Sequence, residues 1–257
     1  MKHTRSLPLT AFILFTASLL PAVAAEPNAD QLLRQMSAKL AAARSFSFTA
    51  EREIDAALIE GSNVSEKAHI TVAVQRPNQL AARSVSKAGA RRFIANGRTL
   101  SLLDEKKNVY ATVPMPTTLD GLVEQLDAKY GFTPPLAEFV RSNAYRNIRG
   151  EARNVIYAGR GKAVAGFLGL GGVECHRLAL KGKEADAELW IAVGDSLPRK
   201  LVATFHRAGQ PQVRIDFSAW NLAAPASAGD FTFSPPTGAQ KIEMWTTARM
   251  QSAAAKH

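Results

Sequence analysis

The feature that most constrains the fold is a regular alternation of apolar and polar residues near the C-terminus. In residues 213–218, valine, isoleucine and phenylalanine alternate with arginine, aspartate and serine. Successive side chains of a β-strand point to opposite faces of a sheet, so this pattern predicts a strand with one buried face. Further strand-like runs occupy residues 173–180, 189–193 and 200–206, and a glycine- and proline-bearing turn lies at 209–211. This part of the chain therefore predicts an antiparallel sheet.

The first half of the chain predicts a helix followed by a second group of strands. Asn28 is a favourable N-cap residue, and Gln31 completes a capping-box pattern. The helix that follows carries one apolar stripe, formed by Leu32, Leu33, Met36 and Leu40. Alternation then predicts strands at residues 46–50 and 70–74, and the Asn-Gly pair at 96–97 predicts a tight hairpin between two more.

Helices interrupt the strands in the middle of the chain. Thr117 and Asp120 indicate a helix start, and Gly131 can end that helix. The apolar stripe of this helix consists of Leu119, Leu122, Val123 and Leu126. A second short helix is predicted from residues 133–134 onward, and it carries Leu136, Phe139 and Val140. Strands are predicted to resume near Tyr145.

Residues 1–25 are typical of a secretory signal peptide. Two basic residues precede an apolar run, and the small residues at 23–25 suit cleavage after Ala25. Cleavage one residue earlier and an uncleaved N-terminal anchor are the alternatives. We expect residues 26–247 to form a single domain in the periplasm and the alanine-rich tail 248–257 to be disordered.

The charge balance favours anionic partners. The net charge is +10, and removal of the signal peptide, with its two basic and no acidic residues, leaves about +8. A basic surface attracts phospholipid or lipopolysaccharide head groups. The export signal and the scattered placement of the basic residues argue against a nucleic-acid partner. A well-solvated surface without a charged partner is the alternative interpretation.

No pattern in the sequence predicts a catalytic, cofactor or metal site. Cys175 is the only cysteine, so an intramolecular disulfide is impossible. A buried, inert thiol is expected, with a reactive thiol as the alternative. Cys175 and His176 would point to opposite faces of their strand, and no paired metal-ligand spacing occurs. We therefore expect a protein that is not an enzyme and that needs no cofactor.

A family resemblance follows from the strands, aromatic residues and prolines of the C-terminal part. The residues that carry it are 189–191, 197–200, 215–220 and 231–239. They resemble the LolA/LolB-like lipoprotein-carrier superfamily, in a branch of predicted periplasmic proteins. The resemblance covers roughly residues 28–245. It implies a mainly β fold with helices (α+β), in which a strongly curved antiparallel sheet forms a half-open barrel. The N-terminal helix and a short central helical lid would cover its concave side.

The resemblance implies that the concave side is a hydrophobic cup. The residues expected to line it are Phe46, Phe48, Val72, Val74, Leu100, Leu102, Leu122, Leu126, Phe139, Val213, Ile215 and Phe217. The same residues could equally form an ordinary core. Trp220, Phe231 and Phe233 are expected to pin the sheet edge.

Two functions fit such a cup. The first is a non-enzymatic periplasmic binding protein that holds an acyl chain of a lipid or lipoprotein, or another apolar ligand, with transient membrane contact. The alternative is an envelope-sensing or protein-interaction module that binds a protein segment in the same cup.

Overall fold

The computed structural model describes residues 26–132, 134, 136–163, 172–224 and 228–249. The predicted signal peptide lies outside the described residues, so its cleavage near Ala25 stays a prediction. The same holds for the predicted disordered tail, of which only residues 248 and 249 are described.

The described strands form one open twelve-stranded sheet. They are β1 (Ser45–Ile54), β2 (Glu66–Gln75), β3 (Gln79–Ser86), β4 (Gly89–Asn96), β5 (Thr99–Asp104), β6 (Val109–Pro114), β7 (Ala152–Ala163), β8 (Val173–Gly182), β9 (Ala185–Ala192), β10 (Pro198–Phe205), β11 (Gln212–Asn221) and β12 (Gln240–Lys241). Their order is β12-β6-β5-β4-β3-β2-β1-β11-β10-β9-β8-β7. All neighbours are antiparallel except the short parallel pair of β12 and β6. The predicted curved, half-open α+β architecture is confirmed.

Alternation of side chains decides which face of the sheet is buried. β1 places Phe46, Phe48 and Ala50 on one face, all buried, and its intervening residues on the other. Ala50 stands opposite Ile70 of β2 and Phe217 of β11, so the apolar faces of the two predicted groups of strands become one surface. The strands predicted from alternation are thereby confirmed.

Within the described ranges, four helices cover this apolar face: α1 (Ala29–Ala42), α2 (Leu119–Tyr130), α3 (Ala137–Val140) and α4 (Ala144–Glu151). The predicted N-cap of α1 is confirmed, since the Asn28 side chain accepts a hydrogen bond from the Gln31 amide at 2.9 Å. Leu33, Met36 and Leu40 of α1 are fully buried against the sheet. We call this covered face concave and the opposite face convex.

The prediction that strands resume near Tyr145 is wrong, because Tyr145 lies in α4 and β7 begins at Ala152. The Asn143 side chain caps α4 by accepting a hydrogen bond from the Arg146 amide. The helix has only 8 residues, and only Ala144 is fully buried, so too few apolar positions are present to identify it from the sequence. Tertiary contacts hold it instead: the Ser37 hydroxyl accepts a hydrogen bond from the Tyr145 amide at 2.9 Å.

The closing residues 228–241 form a strap on the convex face. It begins with a short 3₁₀ helix, Ala228–Phe231, that contacts β3 and β4, and it ends in β12. Phe231 is buried, and Phe233 packs on Tyr110 of β6 with ring centroids 5.4 Å apart. Residues 231–239 therefore run from the convex face to the sheet edge at β6 and form no strand of their own.

Candidate functional site

An apolar hollow lies between the sheet and a lid formed by α2 and α3. Its volume is about 50 Å³. The sheet contributes Ile70, Val72, Leu80, Ala82, Phe93 and Leu100, and the lid contributes Leu119, Leu122, Val123, Leu126, Ala137 and Val140. Almost every atom that faces the hollow is apolar, so the space suits a hydrocarbon group rather than a reactive or charged one.

Local sequence fixes both ends of α2 over this hollow. The Thr118 hydroxyl accepts a hydrogen bond from the Gly121 amide and caps the start of the helix, one residue after the predicted Thr117. The Leu119 amide donates to the Pro77 carbonyl at 2.9 Å, which ties that start to the β2–β3 turn. Gly131 ends the helix with φ of 60°, as predicted, because the left-handed conformation favours glycine.

Aromatic side chains fill the concave face beside the hollow. Phe48 stacks on Trp220 with centroids 4.4 Å apart, and Phe217 meets Phe139 of α3 edge-on at 4.8 Å. Trp220 reaches this cluster because the β1–β11 register shifts near Ala219, which has φ of 50°. The expectation that Trp220 pins the sheet edge is therefore wrong, because the shift turns its ring into the centre of the fold.

The structure brings all twelve residues expected to line the cup into one hydrophobic cluster. Four of them, Val72, Leu100, Leu122 and Leu126, line the hollow itself. Leu102 instead lines a groove at the sheet edge. The remaining seven belong to the same cluster but do not line the hollow, and they are Phe46, Phe48, Val74, Phe139, Val213, Ile215 and Phe217.

Sequence reasoning missed the part of the hollow that β3 and β4 supply. Leu80, Ala82 and Ser84 line it from alternate positions of β3, and Phe93 lines it from β4. The alternation in β3 was a usable signal, but small and polar residues on the inner face made it weak.

A vestibule of about 380 Å³, lined by both apolar and charged side chains, adjoins the hollow. Phe93 and Ser84 belong to the walls of both spaces, and Phe93 stacks on Phe132, just beyond α2, with centroids 6.0 Å apart. Arg52 lines the vestibule and donates to Glu66 Oε1 at 2.8 Å. Burial lowers the pKa of Arg52 from its ordinary value, and its Nε has no hydrogen-bond partner among the described residues. The apolar hollow thus shares part of its wall with a chamber of mixed polarity.

Polar contacts fasten the lid to its surroundings. Asp120 of α2 accepts hydrogen bonds from the Ser142 amide, at 2.7 Å, and from the Ser142 hydroxyl. Arg141 pairs with Glu124 at 3.1 Å. Burial raises the pKa of the Glu138 carboxyl, whose Oε2 has no partner among the described residues. Exposed pairs contribute at most about 1 kcal/mol each, so apolar packing holds the lid more than these pairs do.

Titratable groups elsewhere are dispersed. Cys175 is free and buried, as predicted, and burial raises the pKa of its thiol. Within the described ranges, no three His, Cys, Asp or Glu side chains come together to hold a metal ion. None of the described helices is both long and apolar enough to cross a bilayer.

Solved structures of other proteins are similar to this chain. An uncharacterized conserved protein from Thermus thermophilus has a TM-score of 0.51 and 11% identity, over 84% of this chain and 98% of that one. The MucA/MucB complex of Pseudomonas aeruginosa has a TM-score of 0.44 and 15% identity, over 80% of this chain and 61% of that one. The LolA superfamily protein NE2245 from Nitrosomonas europaea has a TM-score of 0.40 and 11% identity, over 80% of this chain and 98% of that one. At these identities the similarity concerns the fold alone.

No curated protein matches the chain. A family model matches residues 29–245, and it confirms the branch expected from the C-terminal pattern. The chain belongs to the family described as predicted periplasmic protein (DUF2092).

Proposed function

We propose that this protein is a non-enzymatic periplasmic binding protein for an amphiphile, such as a lipid or lipoprotein. The apolar end enters the hollow under the lid, and the polar end stays in the vestibule. The observation that supports the proposal is that a 50 Å³ apolar chamber shares wall residues with a 380 Å³ chamber of mixed polarity that has charged side chains in its lining. A signal peptide cleaved near Ala25 would deliver the chain to its compartment.

The volume of the hollow sets how the ligand binds. A water molecule occupies about 30 Å³ of liquid, and a dry cavity of about 150 Å³ holds benzene. A hollow of 50 Å³ therefore accepts only the tip of an acyl chain while the lid is closed. Longer chains require α2 and α3 to move away from the sheet. Phe139 of α3 and Phe217 of β11, whose rings are in contact, would then contact the ligand.

Reversible binding is energetically reasonable for such a ligand. Each buried methylene contributes about 0.8 kcal/mol, so about ten of them give about 8 kcal/mol before the cost of lid opening. That free energy corresponds to a dissociation constant near micromolar, and lid opening weakens it further. The protein can thus take up and release its ligand without covalent chemistry.

Two neighbouring alanines of β3 provide a matched test. Ala82 points into the hollow, whereas Ala81 lies on the convex face. The binding of cis-parinaric acid, a fluorescent fatty acid, is titrated with wild type, Ala82→Leu and Ala81→Leu. We expect Ala82→Leu to weaken binding about tenfold or more, because three added carbon atoms occupy the space of the chain tip. Ala81→Leu should bind as wild type does.

Native mass spectrometry of untagged protein from a periplasmic extract identifies the natural ligand. A copurifying lipid supports the proposal. Equal binding of the fatty acid by both variants, or a stoichiometric peptide without lipid, contradicts it. The peptide result would favour the protein-interaction alternative.

A further inference from the structure

Two large apolar side chains are exposed in the segment that follows β12. Ile242 is 49% exposed and Trp245 is 47% exposed, and both are large apolar side chains. The Ile242 amide donates to the Tyr110 carbonyl at 2.8 Å, so the segment is held against the sheet edge. Thr247 donates from its hydroxyl to the Lys129 carbonyl near the end of α2. The exposed pair is therefore fixed between the sheet edge and the lid.

A groove of about 290 Å³ runs beneath this segment toward the hollow. Ile242 and Met244 of this segment line it together with Leu102 and Phe132. Phe93 belongs to the wall of the groove and also to that of the hollow. An apolar path thus connects the exposed segment with the place where Phe93 and Phe132 stack.

Basic residues lie in and beside the groove, together with the acidic Asp104. Arg91 and Arg92 line it, and their carboxylate partners lie 3.7 and 2.7 Å away. Lys106 and Lys107 form the turn before β6, and Lys241 belongs to β12, which pairs with the start of β6. Within the described part of the chain these three lysines have no ion pair, so the surface has positive charge left for an external partner.

We propose that this surface, the rim formed by Ile242, Trp245 and the three lysines, docks on an anionic lipid bilayer. Ile242 and Trp245 enter the interfacial region of the membrane, which tryptophan favours because its ring is amphipathic. Lys106, Lys107 and Lys241 face the phosphates, and their attraction to anionic lipids adds to the apolar term. An exposed apolar pair with Lys241 beside it, unpaired among the described residues, complements a lipid surface better than it complements a protein interface, where lysine is depleted.

The docking surface does not depend on the ligand proposed for the hollow. Bilayer contact through Ile242 and Trp245 involves exposed atoms, whereas the hollow is bounded by buried ones. Ala82→Leu should therefore bind vesicles as wild type does, and loss of the exposed pair should leave the binding of cis-parinaric acid in solution unchanged.

Cosedimentation with vesicles tests the proposal. Vesicles of phosphatidylcholine are compared with vesicles that contain about one third phosphatidylglycerol, at about 0.05 and 0.3 M salt. We expect binding to the anionic vesicles that weakens with salt. The double variant Ile242→Ala/Trp245→Ala should bind about tenfold or more weakly, because the exposed halves of both side chains no longer leave water. Lys241→Glu should weaken binding about tenfold as well.

Matched substitutions exist at the other edge of the sheet. Ile156 of β7 is 44% exposed, close to the exposure of Ile242, and Lys183 lies in the β8–β9 turn. Ile156→Ala and Lys183→Glu should bind anionic vesicles as wild type does. The proposal is overturned if wild type does not bind them, or if the control substitutions weaken binding as much as those at the rim.

Discussion

The hollow under the lid makes a prediction about stability that needs no ligand. Ala82→Leu adds three carbon atoms at a site where β3 faces unfilled space. Core substitutions from small to large normally destabilise because they overpack a dense interior. At Ala82 we expect the opposite sign, since the added atoms leave water and enter a void.

Two estimates of the gain in the free energy of unfolding agree. Three added carbon atoms at about 0.8 kcal/mol each contribute about 2.4 kcal/mol, and ordering a leucine side chain costs about 0.5–1 kcal/mol. Independently, a void of 50 Å³ at about 24 cal/mol per Å³ costs the wild type about 1.2 kcal/mol. Ala82→Leu should therefore raise the free energy of unfolding by about 1 kcal/mol.

Ala50 is the matched control. It lies on the same concave face, on β1, but it is buried between Ile70 and Phe217. Ala50→Leu should lower the free energy of unfolding by about 1–3 kcal/mol, as overpacking does. Equilibrium urea unfolding measures both changes, and a slope of about 2–3 kcal/mol per molar makes the midpoint of Ala82→Leu rise by about 0.4 M. If both variants lose similar stability, the hollow does not exist in solution as described.

Three further predictions concern single side chains and are read from urea unfolding at several pH values. Hydrogen bonds from Arg83 and Arg92 lower the pKa of Glu105 from 4.5 to about 2. The contribution of Glu105 to the free energy of unfolding is therefore complete above pH 4.5 and is lost as the pH falls toward 2. Glu105→Gln should lower the free energy of unfolding by about 1 kcal/mol at neutral pH and by progressively less below pH 4.5. Burial raises the pKa of Glu138, so wild type loses stability as the pH rises above the ordinary value of 4.5. Glu138→Gln should gain about 1 kcal/mol at neutral pH, and the gain should vanish in acid. Asn143→Ala should cost about 1 kcal/mol, because it removes the N-cap of α4. A pH-independent effect at either glutamate, or no loss at Asn143, would contradict these reasons.

Local physical rules were sufficient for most of the fold. Alternation at residues 213–218 and 46–50 predicted strands because each of these strands has one buried face. Asn28 and Gly131 predicted helix ends because an orphan amide needs a cap and a left-handed residue favours glycine. These signals act within a few residues, so one sequence displays them fully.

Features that depend on distant residues were not predictable. α4 is held by the contact of Tyr145 with Ser37, which is 108 residues away in the chain. Trp220 reaches the core only through a register shift between β1 and β11. The position of the strap depends likewise on Phe231 and Phe233 meeting the convex face. Neither periodicity nor residue type encodes such pairings.

The size of the hollow follows from which residues face each other across it. On the β1 side, Leu33 and Met36 of α1 are fully buried, and large aromatic rings occupy the remaining space. On the β3 side, the small residues Ala82 of the sheet and Ala137 of the lid both line the hollow. If Ala82→Leu raises the free energy of unfolding by about 1 kcal/mol as predicted, the fold does not require a small residue at this place. That result would remove a need of the fold as the reason for small residues here and would favour the ligand proposed for the hollow.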